Sequence, residues 1–522
     1  MSERHRHLLQ VTGMVLGVVM ALTGHAEAAT VTAKSVSLSD VGSAIRSARE
    51  GDTVVVPAGT ASWTSTLSIK KGITLQGAGN DKTIILDDVP RTPLNQGGEI
   101  MDVSLTSGQS FRLTGFTFRF ASLALLADNG GVRLRGTCSS VRIDHCHFDQ
   151  TYQINQIHTY GQIYGVIDHC VFDCRCPPQT LSILVWHDRW GGRANGEGSW
   201  NDLPYFGSEK FLFIEDNTFN NLGTVQTNGN IDAKNGARYV ARYNNFYNCM
   251  PNSHGTEGGP QTGVRAVEIY NNRFHWTFRS SGGQLRSGTA VIHDNAWDGV
   301  AAAHVMVLQQ YRIMTNDPPL GPATGNVEWD LNDTEGNGTN VPSHKPFLYA
   351  NGTASTSAAL SLTVSPSPNW KTNQWVNYEV TNLDQQNNRG YPNSSYIISN
   401  NSDTIKFTGT SQGTNLAFNS GNRFQIYKLL VSMDQPGRGK RDLIRDSSGK
   451  LTRGPAWPHQ ALEPVYAWNN NYINSNNVLS PLLVISIGPT IQENRDFYNN
   501  TPMPGYKPFT YPHPLTAGSG QP

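Results

Sequence analysis

The chain has 522 residues, with 40 Lys and Arg against 40 Asp and Glu, and so carries no formal net charge. That balance excludes a protein held on nucleic acid or on an anionic membrane surface by bulk charge. Only 15% of residues are charged while Gly fills 51 positions, the make-up of turn-dense β structure and not of helical bundles.

In chain order, Arg4 and Arg6 precede a largely apolar run over residues 8–23, and Ala26-Glu27-Ala28 supplies the small residues a signal peptidase reads. Residues 1–28 are therefore expected to be a secretory signal peptide, and the mature protein to be extracellular or periplasmic with no integral membrane segment. Ser39 and Asp40, followed by Val41, Ala44, Ile45 and Ala48, predict a short amphipathic helix that stops at Gly51.

A six-residue line then recurs: apolar, any, polar, Asn or Cys, any, aromatic. It runs from Ile143 to Phe148, Ile167 to Phe172, Ile214 to Phe219, Ala241 to Phe246, Ile269 to Phe274 and Ile292 to Trp297, with a weaker early copy ending at Phe118. A detached copy spans Ala467 to Tyr472. Successive aromatics lie 23 to 30 residues apart, apart from one gap of 47. This period is too short for a strand–helix–strand unit, so each copy is expected to be one coil of a parallel β-solenoid whose equivalent residues stack in ladders. The fourth position predicts a ladder of Cys146, Cys170, Asn217, Asn244, Asn272 and Asn295, and the sixth a stack of aromatic rings. Cys146 and Cys170 are expected as a buried thiol stack, and Cys174, Cys176 and Cys249 as the candidates for a disulfide. The spacing Cys174-Arg175-Cys176 is too tight for a zinc site.

Between Trp297 and Tyr472 the repeat vanishes, and residues 331–432 show short alternating strands between Ser/Thr/Asn-rich turns. A small inserted β-sandwich or barrel is expected there, either a carbohydrate-binding module or a spacer. The last coils and a Pro- and Tyr-rich surface tail should occupy residues 433–522.

Gly51-Asp-Thr-Val-Val-Val-Pro57 and Gly72-Ile-Thr-Leu-Gln-Gly77 resemble the N-terminal coils of the pectate lyase-like superfamily. Val141-Arg-Ile-Asp-His145 is similar to that superfamily's Val-Trp-Ile-Asp-His line, with Arg142 in place of the Trp. The resemblance implies an all-β chain forming a right-handed parallel β-helix over residues 29–330. It does not settle an activity, because one fold carries many. The Arg-x-Pro-x-x-Arg line of pectate lyases proper has no match. Asn217-Thr218-Phe219 lacks the Asp of polygalacturonase-like hydrolases, and Asp87-Asp88 lies outside the central coils.

If the Asn position marks one turn, alternation points Val132, Leu134, Ile157, Ile231 and Leu285 inward. An outward line is left: Arg133, Arg135, His158, Tyr160, Trp186, Asp232, Lys234, His254, Gln284 and Arg286. Such a line suits an extended acidic polysaccharide, with Trp190, Trp200 and Tyr205 offering ring faces to sugars. Eliminative cleavage of a uronate chain needs a cation on the carboxylate, a base for the C5 proton and an acid at the leaving oxygen. Arg286, Arg265 and Arg135 suit the first role, Lys234 or His254 the second, and Tyr160 or His158 the third. Asp232, with Asp216 or Glu257, is the candidate calcium set. The expected protein is a monomeric secreted polysaccharide lyase. A non-catalytic glycan-binding or surface-attachment protein is the alternative, followed by a glycoside hydrolase or epimerase.

Overall fold

The structure, a computed structural model, describes residues 28–309 apart from 92–97, 122–129, 151–154, 175–180, 193–195, 225–229, 256–262 and 280. It further describes 348–428 apart from 377, 387–391 and 408–415, then 436–439, and 461–517 apart from 488–490 and 492. The stretch read as a signal peptide lies outside the described residues save Ala28, and so do Cys176 and Glu257. No described helix is long and apolar enough to cross a membrane.

Strands of successive coils pair in parallel and in register, giving a parallel β-helix whose sheets include one of 16 strands and one of 11. Each coil contributes up to three faces. The first face holds Met101–Leu105, the start of Val132–Asp144, the start of Asn155–Asp168, Leu181–Trp186 and Ile231–Lys234. The second holds Leu212–Glu215, Arg238–Arg242, Ala266–Tyr270 and Thr289–His293. The third holds His147–Asp149, Val171–Cys174, Thr218–Asn221, Asn245–Tyr247, Arg273–Trp276 and Ala296–Gly299.

The six-residue line makes the corner between the second and third faces. Its third position is His145, His169, Asp216, Tyr243, Asn271, Asp294 or Asn469, and all seven sit in the left-handed region with φ of 49° to 56°. A non-Gly residue there costs about 1–2 kcal/mol, which the next residue offsets. Asn244 Oδ1 accepts from the Asn217 N–H at 3.0 Å and from Asn217 Nδ2 at 3.1 Å, while Asn244 Nδ2 reaches Ile214 O at 2.8 Å. The same exchange links Asn272 to Asn295 and Asn295 to Asn470. In the earliest full copies the position is thiol: Cys146 and Cys170 are buried and unbridged, donating to Asp144 O and Asp168 O at 3.3 Å. Cys174, a disulfide candidate by sequence, is also an unbridged buried thiol; it accepts from Asn230 Nδ2 at 3.1 Å.

Inside the corner Phe118, Phe148, Phe172, Phe219, Phe246, Phe274 and Trp297 stack with centroids 4.5 to 5.3 Å apart. Each ring is fully buried, and offset stacking adds about 0.5–1.5 kcal/mol per pair beyond area burial. The detached copy completes the stack: Ala467 pairs with Ile292 and Tyr472 with Trp297, so the whole insertion leaves and rejoins the solenoid between neighbouring coils.

The N-terminal helix is Leu38–Ser47, starting before the predicted Ser39-Asp40 because Ser37 is the cap, its Oγ accepting from the Asp40 N–H at 3.2 Å. Val41, Ala44 and Ile45 are its buried stripe over the first coil. Within the insertion, a six-stranded antiparallel sheet encloses a core of its own that includes Leu362, Val380, Ile405, Phe407, Phe424 and Ile426. Residues 506–515 lie without strands along the outer side of the second face. There Arg242 donates to the carbonyls of Phe509 and Thr510, Glu215 accepts from the His513 N–H, and Tyr511 stacks on Tyr243 at 3.7 Å.

Candidate functional site

The first face carries the outward line as one continuous surface. Arg133 pairs with His158 and Arg135 with Tyr160; Tyr160 pairs with Trp186, and Trp186 with Lys234. Hydrogen bonds from the His254 N–H to Ala233 O and from the Ser253 N–H to Gln284 O carry the ladder on to Gly283–Leu285. Val132, Leu134, Ile157, Ile183, Val185, Ile231 and Leu285 all point into the core and are fully buried. Lys234, His254 and Arg286 thus occupy successive rungs, each about 4.8 Å from the next.

His254 and Asp232 form an ion pair between Nδ1 and Oδ2. Asp232 is 1% exposed, and its Oδ1 accepts from the Ala233 N–H at 2.8 Å, so it holds the imidazole in one orientation and leaves Nε2 as the other ring nitrogen. Burial pushes the Asp232 carboxyl up, but His254, Arg286 and the Ala233 N–H outweigh it and hold it below the ordinary carboxylate value. His254 keeps 32% of its side chain exposed. Lys234 Nζ lies 4.6 Å over the Trp186 ring, which stands edge-on to His158 at 4.7 Å and beside Tyr160 at 5.5 Å. Burial, and then the Asp188 carboxylate that its hydroxyl meets, hold the Tyr160 phenol above its ordinary value.

Several expectations need correction. Arg265 is fully buried and pairs with Glu463 at 2.6 Å while donating to Asp202 O, so it cannot meet a substrate carboxylate. Trp200 is fully buried, its indole N–H donating to Gly263 O at 3.0 Å. Trp190 is 5% exposed and sandwiched by the Arg238 guanidinium at 4.3 Å. Tyr205 donates to Asp202 and packs beside the second-face cluster. The loop over residues 187–207 therefore covers the corner beside the second face and presents no aromatic platform to the line. Trp190 and Asp202 instead line a separate cavity of about 430 Å³ with Tyr164 and Phe509.

Asp216 does not join Asp232 as the calcium set expected, and Glu257 lies outside the described residues. Asp216 sits at the far corner of its coil, bonded to the Tyr511 hydroxyl at 2.8 Å, whereas Asp232 is engaged on the first face.

The line is also less cationic than its sequence suggested. Asp102 accepts from Arg135 at 2.7 and 2.8 Å and from Arg133 at 3.2 Å, and Glu99 pairs with Arg133. Burial raises the Asp102 carboxyl, but Arg135 and Arg133 together bring it below its usual value. The alternation in Met101–Leu105 carries the signal for Asp102, one coil before the line was taken to begin. Arg135 still shows 41% of its side chain.

No protein-family model matches the chain, and no curated protein sequence matches it. Among solved structures, the chain is similar to a PL6 family alginate lyase at 15% identity, covering 55% of this chain and 41% of that one, with a TM-score of 0.32. It is similar to an alginate lyase from Paenibacillus sp. str. FPU-7 at 16% identity, covering 53% of this chain and 99% of that one, with a TM-score of 0.31. The chain thus spans less than half the length of the first of these.

Proposed function

We propose that the protein is a polysaccharide lyase that cleaves a uronic-acid-containing chain by β-elimination at the Lys234, His254 and Arg286 rungs. The observation that carries this reading is the His254–Asp232 pair, flanked on both sides by a cation one rung away. His254 Nε2 takes the C5 proton, and Asp232 stabilises the imidazolium that forms. Arg286 neutralises the uronate carboxylate, which lowers the cost of the carbanion-like transition state. Lys234 delivers a proton to the leaving glycosidic oxygen on the opposite side of His254. The C5–H and C4–O bonds break, a C4–C5 double bond forms, and no water is consumed.

Tyr160 stands three rungs from His254, about 14 Å by strand spacing, too far to serve the same linkage. Its place, with Trp186, Arg133, Arg135 and Gln284, is along the bound chain to either side, whereas His158, expected there too, is only 2% exposed and packs against the Trp186 ring. Their rings and fixed donors would hold sugars in line with the coil axis.

Incubation with uronate polymers in heavy-oxygen water tests the reaction type. Elimination yields unsaturated oligomers without label at the cut, and products carrying the label would identify a hydrolase instead. Tight binding with no products on any polymer would favour a non-catalytic glycan-binding protein.

A further inference from the structure

The third face holds a group the elimination chemistry does not use. His147 and Asp149 alternate onto the outer side of one strand, and Phe148 pairs with Phe172, which sets Asp173 on the rung next to Asp149. Two carboxylates stacked at strand spacing repel, and the Arg119 guanidinium sits on the Asp149 side of the pair. One donor atom from each of His147, Asp149 and Asp173 lies within 4.8 Å of the other two, the one such group among the described residues.

The surroundings orient both carboxylates as outer partners do at metal sites. Arg119 Nε donates to Asp149 Oδ2 at 2.8 Å, and Asn220 Nδ2 donates to Asp173 Oδ1 at 2.8 Å. Asp81, its N–H donating to Thr117 Oγ1 at 2.9 Å, lies 3.9 Å from His147 Nδ1, beyond hydrogen-bond reach. His147 Nε2, 2.9 Å from Asp173 Oδ2, is the nitrogen facing the carboxylates. We propose that His147, Asp149 and Asp173 form a binding site for a divalent transition-metal ion such as zinc, clamping two neighbouring coils on the third face. One imidazole with two carboxylates suits zinc or its neighbours better than calcium or magnesium, which favour all-oxygen sets.

The ligands come from strands a coil apart, so no short-range Cys/His spacing announces them.

Isothermal titration of the whole chain with zinc chloride at pH 7.5, together with its melting temperature, tests the site. One saturable ion per chain is expected, with the melting temperature rising as zinc is added. His147→Gln and Asp173→Asn should each weaken binding at least tenfold. Wild-type protein with no saturable binding, or folded His147→Gln and Asp173→Asn variants that bind zinc as wild type does, would overturn the proposal. Should one variant fail to fold, Asp149→Asn replaces it with the same expectation.

Discussion

Arg286 and Arg265 are both expected from sequence to meet a substrate carboxylate, yet they have different partners. Arg286 stands on the first face a rung from His254, while Arg265 is sealed between Glu463 and the Asp202 carbonyl. Removing one partner of a buried pair leaves an uncompensated charge and costs about 3–5 kcal/mol. Arg265→Met should therefore lower the unfolding free energy measured in urea by that amount, while the turnover of each remaining folded molecule persists. Arg286→Met should also cost stability, because Arg286 is 8% exposed and donates to Ser253 O at 3.3 Å, but it should in addition lower kcat/KM per folded molecule by about 10²-fold or more. Steady-state rates and urea curves on both variants check the pair, and equal losses of activity per folded molecule would contradict the assignment.

Among the elements, the corner turn does most to specify the fold. Six of its seven left-handed positions are His, Asp or Asn and the seventh is Tyr243, and from Asn217 onward the amide after each ties its coil to neighbouring ones. Asn244→Ala would take this partner from Ile214 O and the Asn217 N–H, while Asn217 Nδ2 keeps Ile167 O and Glu215 O. Each such buried group costs about 1–3 kcal/mol, so a loss of about 3 kcal/mol or more in urea unfolding is expected, against little for the exposed Asn476→Ala. The turn, the aromatic stack and the alternation of the first face were all legible in the sequence, because a ladder repeats the same local demand in every coil. What escaped was whatever joins elements far apart in the chain. Asp102 meets Arg135 from the preceding coil, Glu463 meets Arg265 across the insertion, and the loop with Trp190 and Trp200 turned its rings inward. No periodicity marks those partners.

Over the whole molecule, the C-terminal strap closes the second face with a buried acid at its centre. Glu268 accepts from the Tyr506 hydroxyl at 2.5 Å and from the Gly207 N–H at 2.8 Å, and burial pushes its carboxyl up to about 7. An acid raised in the folded state adds stability below its unfolded value, and that stability is lost as pH rises from about 4.5 to about 7. The depressed His513, pushed down by burial to about 4, works in the opposite direction, losing stability as pH falls. Comparison with Glu268→Gln isolates the acid: wild type minus variant should be more favourable at pH 5 than at pH 8, by up to about 3 kcal/mol in thermal or urea unfolding. A difference that does not change with pH would place that carboxyl's titration elsewhere.

The zero net charge also takes on a local form. Arg133 and Arg135 are largely balanced by Glu99 and Asp102, and the cations placed for chemistry are Lys234 and Arg286 around a histidine held by Asp232. The most direct test follows the ultraviolet absorbance of unsaturated uronate as wild type and His254→Gln act on a panel of uronate polymers. The account predicts a steady rise with wild type on at least one polymer and a rate lower by about 10²–10⁴-fold with the variant at unchanged melting temperature. A variant as fast as wild type, or no rise with wild type on any uronate polymer, would contradict it.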